Sequence, residues 1–109
     1  MRMINRSAFV VTSRTPYREW VQSHGGDPAE ETGLVSVYLV PEDSAGEDET
    51  PPLKDFYVRI FEAELEAWTT DVDTWPETRD LATFNAWFSV VGESVIVDLG
   101  EGSIEVEEL

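Results

Sequence analysis

Between residues 53 and 68 the large apolar side chains recur at helical spacing. Leu53, Phe56, Tyr57, Ile60, Phe61, Leu65 and Trp68 fall at offsets 0, 3, 4, 7, 8, 12 and 15, one stripe of a 3.6-residue helix. Lys54, Asp55, Arg59, Glu62 and Glu66 take the opposite face, and Asp55 and Arg59 stand four apart, the spacing of a helical ion pair. Pro51 and Pro52 stand just ahead, where a missing N–H costs a helix nothing. The spacing predicts a helix over 53–68 with its stripe in the core. Thr69 to Asp73 then breaks the pattern, and Pro76 disfavours helix at Trp75. A second helix is expected behind an N-cap at Thr78 or Asp80, turning Leu81, Phe84, Trp87 and Phe88 inward. The two form an αα-hairpin with an aromatic corner, Trp75 filling the space between the helices.

The remaining apolar positions predict strands and one shorter helix. Ser7 to Ser13 is rich in β-branched and aromatic residues and reads as a first strand. Thr15-Pro16 follows as N-cap and first turn of a helix through Ser23, with Tyr17, Trp20 and Val21 inward, closed by His24-Gly25-Gly26. Residues 27–33 read as a polar loop or short helical turn. Leu34 to Val40, LVSVYLV, is nearly continuous in apolar character, the pattern of a strand central in a sheet. Residues 42–50 carry five acids and no large apolar group, as a flexible surface loop does. Val90 to Leu99 reads as a third strand with a bulge or bend at Gly92-Glu93; a true turn there would split it into a hairpin. Residues 100–109 alternate Ile104, Val106 and Leu109 with acids, an edge strand or a frayed end. The order β-α-β-α-α-β predicts a single α+β domain over 1–109, in two layers. A three- or four-stranded sheet is covered on one face by the short helix and the aromatic hairpin. Were the first two strands adjacent, the helix between them would allow a right-handed parallel crossover.

Charge changes the picture of the surface. The chain of 109 residues carries 23 acidic and 7 basic groups, net −16. Residues 1–24 hold four arginines and one glutamate, whereas residues 25–109 hold three basic and 22 acidic groups. Such a surface repels nucleic acid and anionic lipid and attracts cations or a basic protein. Solubility alone also accounts for it. No cysteine is present, which excludes disulfides and thiol chemistry. No apolar run reaches the ~20 residues of a membrane span, and the N-terminal residues lack a secretory apolar run, so a cytoplasmic protein is expected.

Familiar catalytic signatures are missing: no Walker A, no G-x-G-x-x-G, no G-x-S-x-G and no H-E-x-x-H. His24 is the only histidine, and at a helix end it suits a favourable C-terminal charge better than catalysis. Residues 42–50 lack the residue order of an EF-hand. No catalytic residue, metal or cofactor is assigned. The candidate binding residues are Trp68, Asp71, Asp73, Trp75 and Arg79, at the turn between the two helices of the hairpin. Asp71 and Asp73, with Asp80 nearby, have the oxygen donors of a magnesium or manganese site, or else form turn-stabilising Asx bonds. Arg79 either locks the corner by pairing with Asp71, Asp73 or Glu77, or binds a ligand carboxylate or phosphate.

Several pieces of the chain occur together in the order of a known family. They are Ser7-Ala8-Phe9-Val10-Val11, Tyr38-Leu39-Val40-Pro41-Glu42, and Ile60-Phe61-Glu62-x-Glu64-Leu65-x-x-Trp68. Thr70-Asp71-x-x-x-Trp75-Pro76-x-x-Arg79, Phe84-x-x-Trp87-Phe88 and Asp98-Leu99 complete the set. The chain thereby resembles, over most of its length, a family of small bacterial proteins with no established activity, ligand or partner. The resemblance implies a bacterial cytoplasmic protein. It also implies a histidine in the last strand about where Glu93 stands here, so histidine chemistry is not expected of this chain.

Two functions fit these observations. A non-enzymatic interaction or regulatory module would bind a basic protein through its acidic surface, with a steep salt dependence that Asp71→Ala leaves intact. A small ligand- or cation-binding domain or enzyme would place its site at the Asp71–Arg79 corner, beside Trp68 and Trp75. Mimicry of a polyanion is a third reading and requires a row of carboxylates on one face. Direct nucleic-acid binding is rejected on charge.

Overall fold

The computed structural model describes residues 1–25, 35–41 and 53–108. The polar loop expected at 27–33, the acidic loop at 42–50, Leu34, Pro51, Pro52 and Leu109 lie outside the described residues. The chain runs β1 (Arg2–Met3), β2 (Arg6–Ser13), α1 (Thr15–Ser23), β3 (Val35–Pro41), α2 (Tyr57–Glu66), α3 (Leu81–Trp87), β4 (Phe88–Glu93) and β5 (Val97–Asp98). Short 3₁₀ turns at Leu53–Asp55 and Val72–Thr74 precede α2 and α3. It is a mixed α+β fold whose three helices pack on one face of a three-stranded antiparallel sheet, with β1 and β5 forming a separate two-stranded ribbon.

Strand order corrects two expectations. The sheet runs β3-β2-β4, so the first strand is central, and among the described residues β3 lies at an edge. Both pairings of β2 are antiparallel, which removes the parallel crossover. The reason lies in side-chain alternation. Directly paired residues of an antiparallel ladder point to one face. Ser7, Phe9, Val11 and Ser13 therefore share the inner face with Val40, Tyr38 and Ser36 on one side and Gly92, Val90 and Phe88 on the other. The continuous apolar run of β3 is thus apolar on both faces although only its inner face is covered.

The core is aromatic. Phe61 is fully buried and meets Phe84 and Phe88 edge-on, each at 5.7 Å between ring centroids, and Trp87 at 5.6 Å. Phe88 in turn lies 5.1 Å from Phe84 and 4.8 Å from Tyr17. Such pairs contribute about 0.5–1.5 kcal/mol each beyond the burial of their area. Phe88 is also where helix becomes strand without a loop. Its N–H closes the last turn of α3 on the Phe84 carbonyl, its backbone is already extended, and it pairs with Ser13. The Tyr17 hydroxyl donates to the Glu64 carbonyl at 2.7 Å, tying α1 to α2.

The helices differ from their expected limits for local reasons. Asp80 is the N-cap of α3, its carboxylate accepting from the Thr83 N–H at 2.8 Å. That bond holds its carboxyl below the usual carboxylate range. Helix α1 starts at Thr15 with Arg14 as N-cap and no side-chain cap. The stripe of α2 ends at Leu65: Ala67 caps the helix, and Trp68 lies beyond it, 39% exposed rather than in the core. At the other end Asp55 belongs to a 3₁₀ turn, so helical i,i+4 geometry toward Arg59 is not reached. Among the described residues the one ion pair is Arg2–Asp98, which ties β1 to β5. Strand β4 starts at Phe88 and continues through Gly92-Glu93, and β5 pairs with β1 instead of folding back on it. Residues 99–108 form neither strand nor helix.

Replacing Phe61 by Ala is expected to cost about 3–5 kcal/mol, a large fraction of a typical domain's stability, measured by urea unfolding. Asp80→Ala lowers Tm at neutral pH. The cap's contribution is present above the unfolded-state carboxylate pKa and is lost as pH falls through the lower folded one. The two Tm values therefore converge in acid.

Candidate functional site

The hairpin corner uses its polar groups on itself. The Asp71 carboxylate accepts from the Asp73 N–H at 3.2 Å, an Asx turn opening the 3₁₀ segment. The Asp71 carbonyl accepts from the Thr74 hydroxyl at 2.7 Å. The Trp75 indole N–H donates to the Thr69 carbonyl at 3.0 Å, and Trp20 from α1 donates to the Thr74 carbonyl at 3.1 Å. Arg79 lies with its guanidinium carbon 5.7 Å from the centre of the Trp75 ring and donates to the Pro76 carbonyl at 2.8 Å. It makes no ion pair with Asp71, Asp73 or Glu77; the indole face and a carbonyl hold it instead. The structure thus joins Asp71 to Asp73 and Arg79 to Trp75 as two separate pairs, and leaves Trp68 exposed after α2. Among the described residues no group of three or more His, Asp or Glu side chains is arranged to hold a metal ion. His24, the C-cap of α1, contacts the Trp20 carbonyl through Nδ1 at 2.8 Å and lies 4.4 Å from the Trp20 ring.

Two other features were not expected from the sequence. The first is the outer face of the sheet. Register places Leu39, Ala8 and Glu93 in one row, Val37, Val10 and Val91 in the next, and Val35, Thr12 and Ser89 in the third. Val35, Val37, Leu39 and Val91 are 52–60% exposed. Aliphatic side chains of three adjacent strands therefore form one surface, whereas scattered single apolar residues carry no such meaning. The run LVSVYLV held the signal, read there as burial on two faces.

The second is a groove of about 410 Å³ between β3 and α2. Residues 38–41 form one wall, and Phe56, Arg59, Ile60 and Ala63 form the other at helical spacing. Val40 and Ile60 are buried, and Arg59 is exposed. Below the rim, the Tyr38 hydroxyl donates to Glu64 Oε1 at 2.7 Å. Burial, then the hydrogen bond and the negative charge of Glu64, push the Tyr38 phenol far above its ordinary pKa.

No family model, curated protein or solved structure matches the chain. Among the described residues, no helix is long and apolar enough to cross a membrane.

The Tyr38 shift has a measurable sign. Below pH 10 the phenol is protonated in both states and its contribution is complete. Above pH 10 the unfolded tyrosine ionises while the folded one keeps its proton, so stability falls with rising pH. Wild type should lose stability from this group as pH rises above 10, by less than the full ~1.4 kcal/mol per pH unit because the phenol is only half-buried and partly screened. Tyr38→Phe should lose none of that share. Urea unfolding of both between pH 9 and 11 checks it.

Proposed function

We propose that the chain is a non-enzymatic protein-interaction module that docks a basic partner through the uncovered aliphatic face of its sheet. The observation that carries this reading is the exposure of Val35, Val37, Leu39 and Val91 on adjacent strands, since contiguous apolar surface of this kind marks protein contacts. Charge selects the partner. A second copy would bring another −16 to the contact and would be repelled, whereas a surface with an apolar centre and a Lys/Arg rim is attracted. The setting we take is the bacterial cytoplasm, which the sequence resemblance implies.

The N-terminal arginines support the same choice of partner sign. Arg2 is engaged by Asp98 and the Gly102 carbonyl, Arg6 by Asn5, and Arg18 by the Ser13 carbonyl and Thr15. Three of the four are thus occupied locally, and a polyanion gains little from them.

The test compares immobilised wild type with the Val37→Glu/Val91→Glu variant in bacterial lysate at low salt, followed by a salt gradient. Wild type should hold a basic protein in stoichiometric amount and release it at moderate salt. The double variant, both sites being exposed, should keep its Tm and bind that protein at least tenfold more weakly, while Asp71→Ala retains it. Equal retention by the double variant would sink the reading, as would a bare smear of ribosomal proteins.

A further inference from the structure

We propose that the groove between β3 and α2 binds a small amphipathic carboxylate, its apolar chain against Phe56, Val40 and Ile60 and its carboxylate on the Arg59 guanidinium. Three observations meet there. The groove has the volume of a small-molecule site, about 410 Å³, and its lining mixes apolar with polar surface, the apolar part being the larger. Its floor is preformed: Val40 and Ile60 are 4% and 3% exposed, fixed by the inner face of the sheet and by the core stripe of α2. Its rim carries a cation without a partner, because no carboxylate among the described residues lies within ion-pairing distance of Arg59.

Among the described residues Arg59 makes no ion pair, in a chain with 23 acids and 7 basic groups. The acids nearest in sequence are Glu62, three residues on along α2, which makes no ion pair with Arg59, and Asp55, which is held in the 3₁₀ turn. Glu64, on the same helix, accepts the Tyr38 hydroxyl. A guanidinium presents paired donors that match a carboxylate, and the apolar wall beside it selects an acid with a hydrocarbon chain over a small hydrophilic anion.

The net charge makes the test stringent. Long-range attraction by −16 favours a cation everywhere on this surface, so only a local site at Arg59 can prefer the anion. Octanoate, octanol and octylamine share one chain length and differ in head-group charge. Each is titrated, below micelle-forming concentrations, into the ¹⁵N-labelled full chain and followed by amide chemical shifts. Octanoate should move the amides of residues 38–40 and 56–63 and bind at least tenfold more tightly than octylamine. Arg59→Gln, at an exposed position, should weaken octanoate at least tenfold and leave octanol unchanged. Ala63→Trp, which narrows the groove from its open side, should weaken octanoate and octanol alike. The proposal fails if octanoate does not bind, if octylamine binds as well, if Arg59→Gln has no effect, or if the shifts map to Val37 and Val91 on the outer face.

Discussion

The structure depends on the packing of Phe88. This residue ends one helix and begins one strand with no loop between them, so its side chain sets where α3 stops and in which register β4 starts. Buried against Phe61, Phe84 and Tyr17, it joins all three helices to the sheet at one point. A slip of one residue would turn Phe88 to the outer face and Ser89 to the core, exchanging every inward and outward position of β4. The aromatic cluster therefore specifies register as well as contributing stability.

With all three helices on the inner face, Val35, Val37, Leu39 and Val91 of the outer face are left exposed, while Ala8 between Leu39 and Glu93 is buried. Three helices and three strands suffice for one covered face, and a second would need further elements. An aliphatic outer face on a sheet with β3 at its edge invites association. The net charge of −16 acts against association between like copies and in favour of a basic surface. In the function proposed above, charge would choose the sign of the partner and exposed apolar area would supply the contact.

The hairpin corner shows how polar groups serve packing. The indole N–H groups of Trp20 and Trp75 both end on carbonyls of the corner, and the Arg79 guanidinium lies over an aromatic face. These bonds join α1 to the segment between α2 and α3. Beside the groove at β3 the situation is the opposite: Asp55 sits in a 3₁₀ turn, and Arg59 makes no ion pair among the described residues.

Sequence alone determined the covered side of the fold. The i, i+3, i+4 spacing of Phe56 to Leu65, the inward Tyr17 and Val21, and a helix cap at Thr78 or Asp80 are local patterns set by backbone periodicity and nearest hydrogen bonds; the structure chose Asp80. The α+β class, the helical hairpin and the Asx turn at Asp71 were legible for that reason. Tertiary structure alone decided the rest. A strand apolar on both faces has the same pattern whether it is central or at an edge, so the run Val35 to Val40 could not disclose that β3 flanks β2 and shows Val35, Val37 and Leu39 to solvent. Nor could spacing pair Arg2–Met3 with Val97–Asp98, which meet across nearly the whole chain, or bring residues 38–41 against Arg59. The first contact is held by a backbone ladder and the Arg2–Asp98 ion pair, the second by the packing of Val40 and Ile60 into the core. Local pattern specifies which side of an element is apolar; only the packed chain specifies which apolar side remains uncovered.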